Sequence, residues 1–298
     1  MIQKNKLTDL SLLTGAFVWG VVWYPYRAID AAGVGGATSS FLTYFLALLP
    51  GLWLFRRELA ALRDAPRVLV AIALAAGWCN LSYVLAMLRG DVMQVMLLFY
   101  LAPLWTVLFS RLLLRERSGV LGYLVVALSL SGAVIMLWQP GNDAPLPDSA
   151  AEWLALSSGI AFALANVLSR RAKAVDVRLR SLSVWAGVAL AALPLMLWME
   201  QPLQALVHLS ATGWTLIVLV AAVMFAVNVS VQHGLAQTAA NRAIVIFLTE
   251  LVFAAGAAYL LAQEAMSQRQ WIGGAMIVAA TLFSGRLEAR SENSAAGV

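Results

Sequence analysis

Charge is scarce in this chain of 298 residues, of which only 12% are Asp, Glu, Lys or Arg. Soluble domains carry about twice that share of charged residues. Hydrophobic residues make up 62% of the chain, against about 45–50% in an ordinary soluble domain. The composition therefore argues against a soluble globular protein and for one that lies in a hydrophobic environment.

The chain also has few of the residues on which disulfides, metal sites and many enzymes depend. Its single cysteine, Cys79, can form no intrachain disulfide. Its two histidines, His208 and His233, lie near no cluster of carboxylates, so we expect no metal site and no cofactor. The sequence contains no glycine-rich Walker motif and no paired carboxylates for acid–base catalysis. We therefore expect a protein that is not an enzyme.

Between the few charges lie long apolar windows. A helix that rises about 1.5 Å per residue needs about 20 apolar residues to cross a membrane. Transmembrane strands would instead alternate polar and apolar residues over about 10 positions. Ten windows suit helices, and Glu250 is the one charged residue inside them. The windows are 10–26, 31–55, 68–88, 92–110, 118–141, 153–169, 181–199, 201–241, 243–263 and 270–285. They predict an all-α integral membrane protein with ten transmembrane helices.

The Lys and Arg residues indicate the orientation of these helices. If the amino terminus is cytoplasmic, 17 of the 20 basic residues lie in inward segments, and Arg27, Arg89 and Arg269 lie outside. Because cytoplasmic loops carry an excess of Lys and Arg, both termini are predicted to be cytoplasmic. The basic residues lie in short loops between apolar windows, so we expect contact with a lipid bilayer and not with nucleic acid.

The two halves of the sequence resemble each other. We divide the chain into a first repeat, 1–140, an outer linker, 141–151, and a second repeat, 152–298. Each repeat holds five windows, an odd number, so the second repeat must enter the membrane from the opposite side. Such inverted repeats place a substrate site near the midplane and alternate its access. The matched residues are Gly15 with Gly159, Arg27 with Arg171, Pro50 with Pro194, Asn80 with Asn228, and Ser82 with Ser230.

Local motifs add to this five-plus-five arrangement. They are Asn166 to Arg171, Leu101-Ala102-Pro103, Leu112 to Glu116 followed by Gly122 and Gly132, and the echo Leu260 to Glu264 with Gln270 to Gly273. The whole pattern resembles the EamA-type transporters of the drug/metabolite transporter superfamily. Within that family the chain looks most like the YddG-type exporters of aromatic and other amino acids. The resemblance implies a secondary transporter in the bacterial cytoplasmic (inner) membrane.

Glu250 is the most prominent candidate site residue. A carboxylate at the centre of a transmembrane helix costs about 2.5–3.5 kcal/mol on insertion scales, and such residues usually face a cavity or a partner. Glu250 is therefore expected to point into the protein. There it holds a substrate ammonium, takes up a coupling proton, or bonds to a neighbouring helix as a structural, protonated side chain.

Two amides, Asn80 and Asn228, occupy equivalent positions in the two repeats. The face of Asn80 includes Tyr83, and that of Asn228 includes Gln232, which is typical of a semi-polar cavity wall. These side chains either bind the substrate or form interhelical hydrogen bonds, worth about 0.6 kcal/mol each on average in a membrane.

Aromatic residues in the middle of several windows predict a cage for an apolar or aromatic substrate. Phe162 and Asn166 are four residues apart in the sixth window, so they share a helix face. Trp19, Trp78 and Tyr100 lie in the first, third and fourth windows. Other aromatic residues lie near window ends and suit the interfacial belt better.

Small residues recur at matching positions of the fifth and tenth windows. They are Gly122, Ser129 and Ala133, and then Gly273, Ala280 and Ser284. Each set lies on one helix face, which predicts close helix packing. The protein is then either a monomer or a homodimer that meets through these two helices.

Together these features predict a secondary transporter that exports amino acids, preferring aromatic and other bulky apolar ones, by alternating access. The alternative is an EamA-type exporter of another metabolite or drug, cationic or nucleotide-linked, with or without proton coupling. A phosphorylated substrate needs fixed cations at the midplane, and every Arg lies near a window end or in a loop.

Overall fold

The computed structural model describes residues 2–59, 66–115, 120–138, 146–172, 175–200, 202–235 and 246–296. Side chains are described there except at residues 2–8, 66, 232–233, 235 and 284–296. Over these ranges the regular structure is entirely helical. Gln232 and His233 therefore have a described backbone only.

The described ranges hold helices from both halves of the chain. Those of the first half are α1 (Ile2–Val21), α2 (Trp23–Ala31), α3 (Gly36–Leu54), α4 (Pro66–Arg89), α5 (Val92–Phe99), α6 (Ala102–Leu113) and α7 (Val120–Leu137). Those of the second half are α8 (Ala150–Arg171), α9 (Val177–Met199), α10 (Pro202–Val207), α11 (Ala211–Leu235), α12 (Thr249–Ala257) and α13 (Gln268–Ala296). A π-helical turn, Ala258–Ala262, extends α12.

Local capping explains where two helices of the second half begin. The Ser149 side chain accepts a hydrogen bond from the Glu152 N–H, 3.2 Å away, at the start of α8. The Asp176 side chain accepts one from the Arg178 N–H, 2.7 Å away, at the start of α9. Such caps satisfy N–H groups that have no partner within the helix.

Seven segments in the described ranges are long and apolar enough to cross a membrane, and Thr249–Ala262 is a shorter apolar segment. The seven are Gly36–Leu54, Arg67–Arg89, Val92–Leu113, Val120–Leu137, Ala150–Arg171, Val177–Met199 and Ala211–Val231. The structure is thus that of an all-helical, multi-pass membrane protein. The exact count of ten spans and the repeat boundaries stay predictions.

Several predicted helices differ from the windows in continuity. The first window contains the turn between α1 and α2, and the eighth contains the short α10 before α11. The fourth is broken between α5 and α6, where Pro103 has no N–H to bond to the Phe99 carbonyl. Uninterrupted hydrophobicity does not reveal such breaks, because apolar residues fill both parts.

A second break lies just before α12. The Leu251 N–H donates to the Leu248 carbonyl, 3.2 Å away. In an uninterrupted α-helix it would donate to the Phe247 carbonyl, which therefore lacks this hydrogen bond. The fourth and ninth windows are therefore interrupted at corresponding places. Interrupted segments at matching positions are a strong indication of a binding site in repeat transporters.

The main helix contacts join one half of the chain to the other. In the first half α4 packs against α8 and α9, and in the second half its counterpart α11 packs against α1 and α3. The pairs α3–α9 and α7–α13 also cross between the halves. Exchanging the halves therefore reproduces the contact pattern, as expected of a two-repeat fold.

Glycines let helix backbones from the two halves touch. A Cβ added to Gly132 on α7 would lie 2.7 Å from the Gly273 carbonyl on α13. Gly122, Ser129 and Ala280, on the same predicted small-residue faces, are buried. Close packing along these faces thus occurs within one chain. A dimer through the two helices stays a prediction.

Gly187 on α9 tests how closely the halves pack. A Cβ at this position would collide with the Ala73 backbone on α4. We therefore expect Gly187→Ala to lower the free energy of unfolding in detergent by about 1–3 kcal/mol, the usual cost of overpacking. Gly256→Ala is the matched control, because its Cβ would meet nothing within 4 Å. A Gly187→Ala protein as stable as wild type would contradict this contact.

Candidate functional site

The two helix breaks meet through one tyrosine. The Tyr100 hydroxyl, beside the first break, lies 3.0 Å from Glu250 Oε2 and 3.3 Å from the Phe247 carbonyl oxygen, beside the second. Tyr100 and Glu250 are 9% and 8% exposed, so the contact is buried. The predicted inward orientation of Glu250 matches this geometry.

This cluster has more acceptors than donors. Tyr100 has a single hydroxyl hydrogen for both acceptors, so it cannot donate fully to the two at once. The Tyr83 hydroxyl is buried and has no hydrogen-bond partner among the described residues, and its ring is joined to that of Tyr100 through Phe99. A buried carboxylate or carbonyl without donors costs free energy. The group is therefore suited to receive a ligand that brings N–H donors.

Aromatic rings form a wall beside this polar group. Phe99 is at its centre, with ring centroids 5.2 Å from Tyr83, 5.9 Å from Tyr100 and 5.1 Å from Phe162. Phe162 is 39% exposed, so one end of the wall is open. A flat apolar group could stack here within a few ångströms of the carboxylate.

Close backbone contacts hold each break against the opposite half. A Cβ on Gly159 of α8 would lie 2.7 Å from the Phe99 carbonyl, and one on Gly20 of α1 would lie 2.8 Å from the Glu250 carbonyl. Any side chain at either glycine would push the broken helix away. The two glycines therefore fix the depth at which the breaks lie.

Arg27 joins the halves at the end of the bundle opposite to the one that the charge bias assigns to the cytoplasm, here called the outer face. Its Nη1 lies 3.0 Å from Glu264 Oε1, and the guanidinium also donates to the carbonyls of Met87, at 2.8 Å, and Gly90, at 2.6 Å. Glu264 Oε2 in turn accepts the Val92 N–H, 2.7 Å away. A carboxylate of the second half thus caps α5 of the first.

Glu200 makes a second cap of this kind. Its two oxygens accept the Ala37 N–H, at 3.0 Å, and the Thr38 N–H and hydroxyl, at 2.9 and 2.6 Å. It follows α9 in the second half and caps α3 in the first. A cavity of about 370 Å³ opens beside it, lined by residues that include Thr38, Gln204 and His208.

Buried apolar side chains fill the space between the outer network and Tyr100. They include Trp23, Met87, Met96 and Leu98, all at most 2% exposed. The outer side of the site is therefore closed in this structure by an apolar layer beneath a polar one. Among the described residues, no three His, Cys, Asp or Glu side chains lie together as metal ligands would.

Sequence comparison identifies the family. The profile of the EamA-like transporter family matches residues 6–138 and 149–286, one range in each half of the chain. This chain belongs to the EamA-like transporter family. It is accordingly a membrane transporter, and the predicted family is confirmed.

Two relatives of this EamA-like protein are both described as uncharacterized transporters. An uncharacterized transporter of Archaeoglobus fulgidus is 26% identical over 283 residues, covering 93% of this chain and 96% of the relative. An uncharacterized transporter of Pseudomonas aeruginosa is 25% identical over 198 residues. This match covers 64% of this chain and 63% of the relative, which is just under two thirds of its length. A crystal structure superposes with a TM-score of 0.61 at 20% identity, covering 95% of this chain and 98% of the other. This likeness concerns the fold alone.

Five of the predicted site residues of this transporter gather around the breaks. Glu250 and Tyr100 form the polar group, and Tyr83 and Phe162 are joined to it through Phe99. Trp19 reaches it through Phe247, with ring centroids 5.6 Å apart. Their function in transport stays a prediction.

The other predicted residues have separate surroundings. The Trp78 indole donates to Ser157 Oγ at 3.3 Å, and Asn166 is exposed. Asn228 has a buried Oδ1 without a partner among the described residues, whereas the Gln232 side chain lies outside the description. Both ends of the Asn80 amide have hydrogen-bond partners within the protein.

The Asn80 amide accepts a hydrogen bond from the Tyr44 hydroxyl at 2.7 Å and donates one to the Ala76 carbonyl at 2.8 Å. These are the contacts of the interhelical alternative. We expect a double-mutant cycle of Tyr44→Phe and Asn80→Leu to give a coupling energy of about 0.6 kcal/mol, and at most about 1.7 kcal/mol, in unfolding measurements. Strictly additive effects of the two substitutions would count against this interaction.

Sequence reasoning missed Phe99, the Phe247 carbonyl and the outer caps. Phe99 lies four residues before Pro103, a spacing that indicates a freed carbonyl and could have drawn attention to it. Glu200 and Glu264 had no such signal, since their helix partners are more than 160 residues away.

Proposed function

We propose that this transporter exports amino acids, preferring aromatic and other bulky apolar ones, through a site between the two halves. The observation that carries the proposal is the buried Tyr100–Glu250 pair beside the Phe99 ring wall. A zwitterion with a large side chain has one chemical group for each part of this arrangement.

The substrate ammonium fits the acceptor-rich side of the site. Three N–H donors of an ammonium group could serve Glu250 and the Phe247 carbonyl, which now share one Tyr100 hydrogen. Hydrogen bonds that involve a charged partner contribute about 1.5–3 kcal/mol. A bound cation would also neutralise the buried carboxylate.

The substrate carboxylate would meet neutral donors. No Lys or Arg forms an ion pair with Glu250 in the described part of the chain. The Tyr83 hydroxyl is buried and without a partner there. Neutral donors bind a carboxylate more weakly than Arg does, which favours release of the substrate. The same lack of cations disfavours a nucleotide-linked substrate.

A second candidate follows from the same asymmetry. A site with a fixed carboxylate and aromatic rings but no fixed cation also suits a hydrophobic amine, because cations bind to aromatic faces. Export of a cationic drug or metabolite is therefore the alternative, with or without proton coupling through Glu250. The two candidates differ in whether the substrate carboxylate contributes.

Competition against labelled tryptophan efflux from proteoliposomes separates these candidates. We expect tryptophan to compete best, tryptamine to compete more weakly, and indole-3-propionate, which lacks the amine, to compete least. Tryptamine that outcompetes tryptophan would support the amine exporter. Competition by indole-3-propionate alone would contradict both, and no tryptophan transport at all would contradict amino-acid export.

Variants connect this result with the site. Glu250→Gln and Tyr100→Phe should each reduce tryptophan transport at least about tenfold, since the loss of one charged hydrogen bond is worth about 1.5 kcal/mol or more. Tyr259→Phe is the matched control, because Tyr259 lies after Glu250 in the π-helical extension of α12 and is 66% exposed. Equal transport by Glu250→Gln and Tyr259→Phe would remove Glu250 from the site.

Alternating access requires the outer face to open. The structure is closed there by Arg27, Glu264 and Glu200, which bridge the two halves. These hydrogen bonds are partly buried, and water can replace each of them once the halves separate. The cavity beside Glu200 gives that carboxylate room to leave α3. In our proposal, breaking both caps is the step that exposes the site to the periplasm.

A buried cysteine can report this opening. Met87→Cys, in a Cys79→Ser background, places a thiol at a position that is 1% exposed beneath Arg27. Glu264→Gln and Glu200→Gln should raise its labelling rate by an impermeant maleimide on the outer side about tenfold, because charged hydrogen bonds are about twice as strong as neutral ones.

The control for this experiment is Asp91→Asn. Asp91 is an exposed carboxylate at the start of α5, as Glu264 is, but its side chain makes no capping bond. It should leave the labelling rate unchanged. Equal labelling in all of these proteins, with unaltered gel-filtration profiles, would show that the caps do not hold the outer face closed.

A further inference from the structure

A second cavity lies at the opposite end of α3, on the face that the charge bias assigns to the cytoplasm. Its volume is about 440 Å³. It is lined by Trp53, Leu54, Phe55, Arg56, Arg57, Glu58 and Arg178. The cavity lies far along α3 from the Glu200 cap, so it is separate from the outer network.

The charge of this cavity is positive. Three of its lining residues are Arg and one is Glu. Glu58 forms an ion pair with Arg178, whereas in the described ranges neither Arg56 nor Arg57 forms an ion pair with a carboxylate. Two guanidinium groups thus remain to bind an anion. The planar guanidinium fork matches the geometry of phosphate oxygens.

Aromatic rings lie beneath two of these guanidinium groups. The Arg56 guanidinium carbon lies 5.9 Å from the Trp53 ring centroid, and that of Arg178 lies 6.0 Å from the Phe55 ring centroid. A ring face attracts a cation and leaves the N–H edge of the guanidinium available. The rings therefore limit the motion of these side chains while the donors stay accessible.

An apolar stripe runs from the cavity along α3. Phe45, Leu49 and Trp53 are spaced four residues apart, so they lie along one side of the helix over about 12 Å. They are 40%, 47% and 70% exposed. A stripe of this length could accompany the first part of an acyl chain, directly below the basic cavity.

We propose that this cavity binds the phosphodiester headgroup of an anionic phospholipid, with one acyl chain along the stripe. A basic cavity at the cytoplasmic end of membrane helices is typical of such lipid sites. The phosphate is held by Arg56 and Arg57, and the chain contacts Trp53 and Leu49. Because α3 and α9 both border the cavity, the bound lipid bridges the two halves.

The test is native mass spectrometry of the detergent-solubilised full chain with phosphatidylglycerol or phosphatidylcholine. We expect the wild-type protein to bind phosphatidylglycerol about tenfold more tightly. Arg56→Gln/Arg57→Gln should remove this preference. The matched control Arg111→Gln/Arg115→Gln removes the same charge from the same predicted membrane face, outside the cavity, and should keep it.

Two further arms identify the source of the phosphate group. Trp53→Ala should weaken phosphatidylglycerol binding through the loss of acyl-chain contact, and inorganic phosphate should not displace the lipid at equal concentration. Displacement by inorganic phosphate would overturn the lipid assignment in favour of a soluble anion. Equal binding of the two lipids by wild type, or an unchanged preference in Arg56→Gln/Arg57→Gln, would overturn the site.

This test is independent of the proposed substrate. Lipid binding needs no transport, so amino-acid export can fail while the lipid preference holds. If Arg56→Gln/Arg57→Gln does not fold, Arg56→Lys/Arg57→Lys keeps the charge but loses the guanidinium fork. It should then bind phosphatidylglycerol more weakly than wild type, and unchanged binding would overturn the phosphate contact.

Discussion

The buried contact of Tyr100 with Glu250 and the Phe247 carbonyl is the interaction on which the centre of this structure depends. A broken helix is tolerated inside a membrane only where the freed backbone groups find other partners. One hydroxyl supplies that partner for the second break and holds it against the first. The same contact leaves acceptors in excess of donors. Stability and the proposed ligand recognition therefore draw on one small set of atoms.

The two halves are joined by contacts of two physical kinds. Backbone packing at Gly132 and Gly273 is tight and apolar, and it resists separation because few atoms can move without leaving voids. The Arg27–Glu264 contact and the Glu200 cap are polar and lie near the outer surface. Polar contacts at a surface exchange readily with water, at a small net cost. A motion that opens one face is therefore expected to pivot on the glycine contacts and break the polar ones.

The sequence predicted the helical class and the family because both depend on repeated, local patterns. It also predicted that Glu250 points into the protein, because a carboxylate stands out in an apolar window. It could not show the helix breaks, which lie within uniformly hydrophobic runs. For Asn80 it left substrate binding and interhelical hydrogen bonding open, because its partner Tyr44 lies on another helix and one sequence does not reveal which helices touch. The outer caps could not be predicted for the same reason. Each joins a carboxylate to the start of a helix that is more than 160 residues away in the sequence.

The placement of charge at the outer face follows from helix direction. Helices α3, α5 and α8 all begin there, and the amino end of a helix carries a partial positive charge that favours carboxylates. Glu152 lies in the first turn of its own helix, α8, whereas Glu200 and Glu264 cap α3 and α5 from the other half. The N–H groups at the start of α3 and of α5 therefore have these capping partners only while the two halves are together. Opening of the outer face in the proposed transport cycle must expose those N–H groups to water, which would couple helix capping to the change of access.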